Sequence, residues 1–284
     1  MSTRGVVSIF GLVLGMAYGG TIAQSGPPTN LIAVASRPDS PGSIEIEAAD
    51  DFLTNSGVIL TSGTFTGLLV GTVAPPTVTG VDLEIYRVFP ADSDTLRTPN
   101  VVTRVNSPSD VAFATYTQGT DFTLSTKVLN QAFTANNSVQ AGGIHPKPNQ
   151  TTGGQGAVTG QEVEFDFTFI LPEFLPANHY FFVAQVKTTG GDFLWLSGQR
   201  PLGAGDVVFA PDLQAWIRDA NLDPDWSRVG TDIIGPPLTG GAAPQFNLAF
   251  SLDATTVPEP STFALCFSAL GLLGWKAARV RMRK

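Results

Sequence analysis

Asp219, Asn221, Asp223 and Asp225 place an oxygen-bearing side chain at every second position of one short stretch. The opening of a Ca²⁺-binding loop uses that spacing, because a turning backbone can present several hard oxygen ligands to one ion. The rest of a helix-loop-helix calcium pattern fails. Pro224 stands where a glycine is required and Gly230 where a bidentate glutamate should be. Two readings follow: a looser Ca²⁺ site at the exit of a helix, or Asp and Asn acting as turn residues ahead of Trp226.

Other residues invite chemistry less strongly. Glu162, Glu164 and Asp166 share one face of an alternating stretch, with Val163, Phe165, Phe167 and Phe169 on the other. Paired carboxylates hydrolyse glycosides when they face each other across roughly 5 to 9 Å. Three in a row along one strand describe a solvated face instead, and Glu45 with Glu47 and Asp82 with Glu84 repeat the layout. The two histidines, His145 and His179, have no motif partner for a nucleophilic triad. The glycine-rich stretch over 145–160 has no Lys-Ser or Lys-Thr ending, so it reads as a loop and not a phosphate cradle. Tyr180, Phe193, Trp195, Trp216 and Trp226 crowd the C-terminal third. Exposed, they could stack on sugar rings; buried, they are core.

The elements that must position these groups are mostly strands. Residues 44–48, 81–89, 163–169 and 246–252 alternate apolar and polar side chains, as half-buried antiparallel strands do. Further candidates are 57–60, 64–69, 111–117, 122–128, 180–187 and 193–196, with 180–186 apolar on both faces and therefore central. Turn clusters rich in Pro, Gly, Asn, Asp and Ser separate them. One helix is expected after Pro211, from Leu213, Trp216, Ile217 and Ala220 at helical spacing, ending near Asn221. The fold class is thus all-β, an antiparallel, jelly-roll-like β-sandwich with one short helix.

The ends of the chain differ from the body. Arg4 precedes an apolar run over 6–18 and then a small-residue exit, which reads as a secretory signal peptide helix over 1–23, cut after Ala23. At the other end, residues 262–278 contain one charge, Lys276. As a helix they span roughly 25 Å at 1.5 Å per residue, short of a ~30 Å hydrocarbon core but workable with Lys276 reaching for the headgroups. Lys276, Arg279, Arg281, Arg283 and Lys284 would hold the C-terminus on the cytoplasmic side.

Removing both ends takes six of the 16 Lys and Arg and one of the 24 Asp and Glu. Residues 24–256 keep ten basic against 23 acidic side chains, a net −13. Such acidity disfavours nucleic acid and anionic membrane surfaces. The single cysteine, Cys266, lies in the C-terminal apolar stretch. The body therefore has no disulfide, thiol nucleophile or cysteine metal site, and about 230 residues suffice to stabilise it by burial alone.

Val257, Pro258, Glu259 and Pro260, then the apolar segment, then the basic cluster, resemble the PEP-CTERM sorting tail. The two prolines favour an extended, grippable backbone around Glu259. The resemblance covers about a tenth of the chain. It implies recognition by exosortase, a membrane-embedded cysteine transpeptidase, after signal peptidase has acted. It further implies transient inner-membrane anchoring and then delivery to the cell surface or the exopolysaccharide matrix. The expected organisation is a signal peptide over 1–23, a β body over 24–256 and a sorting tail over 257–284. The body is expected to be structural or adhesive and not catalytic, with a carbohydrate- or Ca²⁺-binding module as the alternative and a glycoside hydrolase as a remote one.

Overall fold

The computed structural model describes residues 19–97, 104–144, 151–257 and 279. The apolar stretches expected as signal and membrane helices lie outside the described residues, as do Pro258, Glu259, Pro260 and His145. Among the described residues no helix is long and apolar enough to cross a membrane.

Alternating sequence becomes strand nearly throughout. The strands are β1 (Gly19–Gln24), β2 (Ala33–Ala35), β3 (Ile46–Thr54), β4 (Val58–Gly71), β5 (Thr77–Arg87), β6 (Ala114–Thr117), β7 (Phe122–Ala135), β8 (Ser138–Val139), β9 (Val158–Leu175), β10 (Asn178–Thr189), β11 (Gly191–Leu196), β12 (Trp216–Asp219), β13 (Ser227–Arg228) and β14 (Phe250–Thr256). They form two sheets. The first runs β1-β14-β4-β11-β2-β8, with β9 on the other edge of β4 and β7 outside β9; the second runs β13-β12-β3-β10-β5-β6. Pairing is antiparallel except between β2 and β8, which run parallel where antiparallel pairing was expected.

The sheets pack face to face through aromatic side chains. Phe182 of β10 stacks on Phe167 of β9 at 5.9 Å and meets Trp195 of β11 edge-on at 5.7 Å. Such ring pairs add about 0.5–1.5 kcal/mol beyond their buried area. Two glycines of β4 make room for them. A Cβ on Gly63 would lie 2.5 Å from the Phe167 ring, and one on Gly67 would lie 2.3 Å from the Phe193 ring.

Strand β10 lies between β3 and β5, as its two apolar faces predict. Tyr180, Phe182, Ala184 and Val186 enter the core between the sheets. Phe181 and Val183 face the other way, into a second cluster with Ala49, Tyr86, Leu213, Trp216 and Trp226. The outer face of the second sheet is therefore covered.

This second cluster corrects one expectation. The stretch expected as a helix, from Pro211 to Asn221, contains β12, whose Trp216 and Ile217 lie opposite Ala49 and Ala48 of β3. Trp216 enters the outer cluster while Ile217 enters the main core. A strand buried on both faces carries adjacent apolar residues, and those fell at helical spacing by coincidence. Within the described body, 19–257, the helical turns are short, a 3₁₀ turn at Ala141–Gly143 and a π turn at Val229–Ile234.

Candidate functional site

The densest polar chemistry sits on the covered face of the second sheet. Strands β3, β5 and β12 bring Glu47, Tyr86, Glu84 and Arg218 together. Tyr86 Oη lies 2.6 Å from Glu47 Oε1 and 2.9 Å from Glu84 Oε2. One phenolic proton serves one of these bonds. Burial and the neighbouring Glu47 charge push the Glu84 carboxyl up to about 8, so at neutral pH Glu84 holds the proton for the other. Arg218 donates through Nε to Glu47 and through Nη2 to Tyr86 Oη at 2.8 Å. Its guanidinium lies over the Trp226 ring at 4.4 Å. Glu47 is 4% exposed and Arg218 5%. The group has the composition of an acid-base site and the closure of a structural lock.

The residues expected to ligate Ca²⁺ flank this network and each is committed to protein. Asp219 Oδ1 accepts the Asn221 and Leu222 amides at 3.0 and 2.9 Å, a turn closing β12. Asn221 contacts Asp219 at 3.5 Å. Asp223 pairs with Arg218 at 2.8 Å, and Asp225 with Arg97 and Arg104 at 3.1 and 3.0 Å. Among the described residues no group of three or more His, Cys, Asp or Glu is arranged to hold a metal ion. In the structure these side chains serve turn formation and arginine pairing.

Two neighbouring aspartates on β3 face opposite sides of the sheet. Asp51 lies outward, 2.6 Å from His179 Nε2, and accepts the Leu213 amide at 2.9 Å. The sequence offered no sign of the His179 pair, because its members are 128 residues apart. Asp50 points inward, and its Oδ2 accepts the Leu248 amide at 2.8 Å. Its Oδ1 is buried with no hydrogen-bond partner among the described residues. Burial and the charge of Asp51 raise its pKa well above the usual carboxylate range. Ala23, Gln24, Ser25 and Asn247 join Asp50 around a cavity of about 10 Å³, room for one water.

The outer face of the first sheet carries rows of polar side chains. Cross-strand register aligns Ser251, Thr64, Asp166 and Ser125 in one row and Thr21, Asp253, Ser62, Thr168 and Thr123 in the next. Thr64 and Ser251 hydroxyls meet at 2.8 Å, and Thr21 donates to Asp253 at 2.7 Å. Thr64, Thr66, Ser251, Gln24 and Glu164 line an open groove of about 300 Å³ in which Glu164 is the one carboxylate. Glu164 pairs with Lys127 at 3.8 Å, and Glu162 is 7% exposed. The five aromatics considered as a sugar platform, Tyr180, Phe193, Trp195, Trp216 and Trp226, are all buried. They are core.

The chain enters and leaves the sandwich at one place. Gly19 of β1 lies opposite Thr255 of β14, and the Val257 amide makes a last bond to Gly57 at 2.9 Å. No curated protein and no solved structure matches the chain. Residues 256–284 match the family model described as the PEP-CTERM protein-sorting motif, so the last strand of the body runs directly into it. The chain carries, at residues 256–284, the sorting motif of PEP-CTERM proteins, which directs export by exosortase-type processing.

Proposed function

We propose that this chain is an exported cell-surface or matrix protein with a non-catalytic, structural body. In this reading signal peptidase removes the N-terminal apolar segment. The C-terminal segment anchors the body in the inner membrane until exosortase processes the Pro258-Glu259-Pro260 region. The observation that carries the reading is the placement of the motif: it follows β14 with no linker, beside the strand that continues from the N-terminal apolar run. Several buried charges of the body form internal pairs, such as Arg218 with Glu47 and Arg104 with Asp225, which suits a rigid module. The test is to compare the full chain with one ending at Val257 in a host that has exosortase. Surface retention of the full chain at a mass lacking the tail, and its loss on truncation, is the expected result. Equal retention of both forms refutes it.

A second reading is a carbohydrate-binding module using the outer face of the first sheet. Rows of hydroxyl and carboxylate groups beside a shallow groove suit the hydroxyls of an extended polysaccharide. A glycan array probed with the wild-type body and with Thr64→Val tests it. Binding lost in the variant supports the reading, and no binding by the wild type removes it.

A further inference from the structure

We infer that signal peptidase hydrolyses the Gly19–Gly20 bond, upstream of the position after Ala23 that small-residue spacing alone suggests. The inference rests on the export reading above. Its basis is that β1 belongs to the folded body, where Gly19 is its exposed first residue while Ile22 and Ala23 are packed. Thr21, Ala23 and Gln24 lie opposite Asp253, Leu252 and Ser251 of β14, and the Thr21 hydroxyl donates to Asp253 at 2.7 Å. Ala23 is 1% exposed, and Ile22 packs against the main core. A cut after Ala23 would remove this strand.

The loss would fall at the worst place. β14 would become an open edge directly ahead of the sorting motif, with unpaired N–H and C=O groups exposed. Ala23 also forms a wall of the cavity beside Asp50, so its removal would open a buried carboxyl to solvent. Upstream, the requirements of the protease are met without that damage. Ala17 and Gly19 supply small side chains at the third and first positions before the bond. Gly19 and Gly20 are exposed, and a Cβ on Gly20 would meet nothing within 4 Å. In the reaction, water adds its hydroxyl to the Gly19 carbonyl carbon, and the departing Gly20 nitrogen takes the proton. The products are the leader carboxylate and a Gly20 α-ammonium on the exposed end of β1.

N-terminal sequencing of the protein recovered from exporting cells tests this. A mature chain beginning at Gly20 is expected, and one beginning at Gln24 overturns the inference. An intact Met1 terminus would instead refute the export reading itself. Two variants sharpen the result. Gly19→Leu changes only the leader side of the bond and should leave uncleaved precursor; an unchanged mature terminus overturns the assignment. Ala23→Val fills the position before the downstream bond with a side chain that signal peptidase rejects. It should leave the Gly20 terminus in place, and accumulation of precursor overturns the inference.

Discussion

Asp50 Oδ2 accepts the amide proton of Leu248 at 2.8 Å, tying the middle strand region of one sheet to the segment that enters β14 of the other. Its second oxygen meets no partner among the described residues. Because burial and Asp51 raise the pKa of Asp50, the folded state holds a proton that the unfolded chain gives up above about pH 4. Stability from this group is complete at acid pH and falls as pH rises towards the folded pKa. Asp50→Asn keeps an acceptor for Leu248 and carries no charge at any pH. It should raise stability at pH 7 by about 1–3 kcal/mol and by less at pH 4, as read from urea unfolding at both values. Destabilisation at pH 7 would mean that a cation partner compensates the carboxylate.

Glu84 behaves in the same sense and gives a sharper window. Its carboxyl is raised to about 8, first by burial and then by Glu47. The folded state therefore binds one more proton than the unfolded chain between its ordinary value of 4.5 and about 8. Stability should decline across that interval by up to about 1.4 kcal/mol per pH unit from this one group. Glu84→Gln should flatten the decline, with melting temperature from pH 5 to 9 as the readout. An unchanged slope would show that Glu84 is ionised in the fold.

Arg218 is held by Glu47, Tyr86, Asp223 and the Trp226 ring. Arg218→Leu leaves Glu47 buried without its cation, which costs about 3–5 kcal/mol for a broken buried pair. The double variant Arg218→Leu with Glu47→Leu removes both charges and should recover much of that loss. Denaturant midpoints of the two variants measure it. A double variant no more stable than the single one would show that the network acts through packing alone.

How much of this was legible in the sequence depends on what alternation encodes. It marked the strands around Ile46, Leu83, Phe165 and Leu252, because each buries every second side chain in the main core. It also marked β10 as central from its apolar run. Alternation does not say whether the polar face meets water. Glu47 and Arg218 sit on such a face, and the chain around Leu213 and Trp226 covers it. The same cover made β12 apolar on both sides and gave Trp216 and Ile217 the look of a helix. Pairs such as Asp51 with His179 join residues remote in sequence, and no local pattern records them. The sorting motif was legible, since it lies in contiguous residues, 256–284.

Chelation tests the fate of Asp219, Asn221, Asp223 and Asp225. Arg97, Arg104 and Arg218 neutralise Asp223 and Asp225, and Asp219 caps its own turn. A cation would have to displace those arginines to gain two carboxylates. Thermal unfolding in EDTA should match unfolding in millimolar Ca²⁺ to within a degree. A midpoint several degrees higher with Ca²⁺ would restore a metal to this turn, and Asp223→Asn would then have to abolish the difference.

The junction between β14 and the sorting motif sets the last prediction. The Val257 amide bonds to Gly57, and the matched residues begin at Thr256, the last residue of β14, so the motif starts where the sheet ends. A processing enzyme must seat an extended segment in its cleft, and a folded sheet that close crowds the upstream side. Inserting a flexible Gly-Ser-Gly-Ser linker after Val257 should therefore speed tail removal, followed as the ratio of precursor to processed mass after a pulse of synthesis. Pro258→Ala with Pro260→Ala should slow it by freeing the backbone to leave the extended state. A linker that leaves the rate unchanged would mean that processing occurs before β14 is paired, while the body is still unfolded at the membrane.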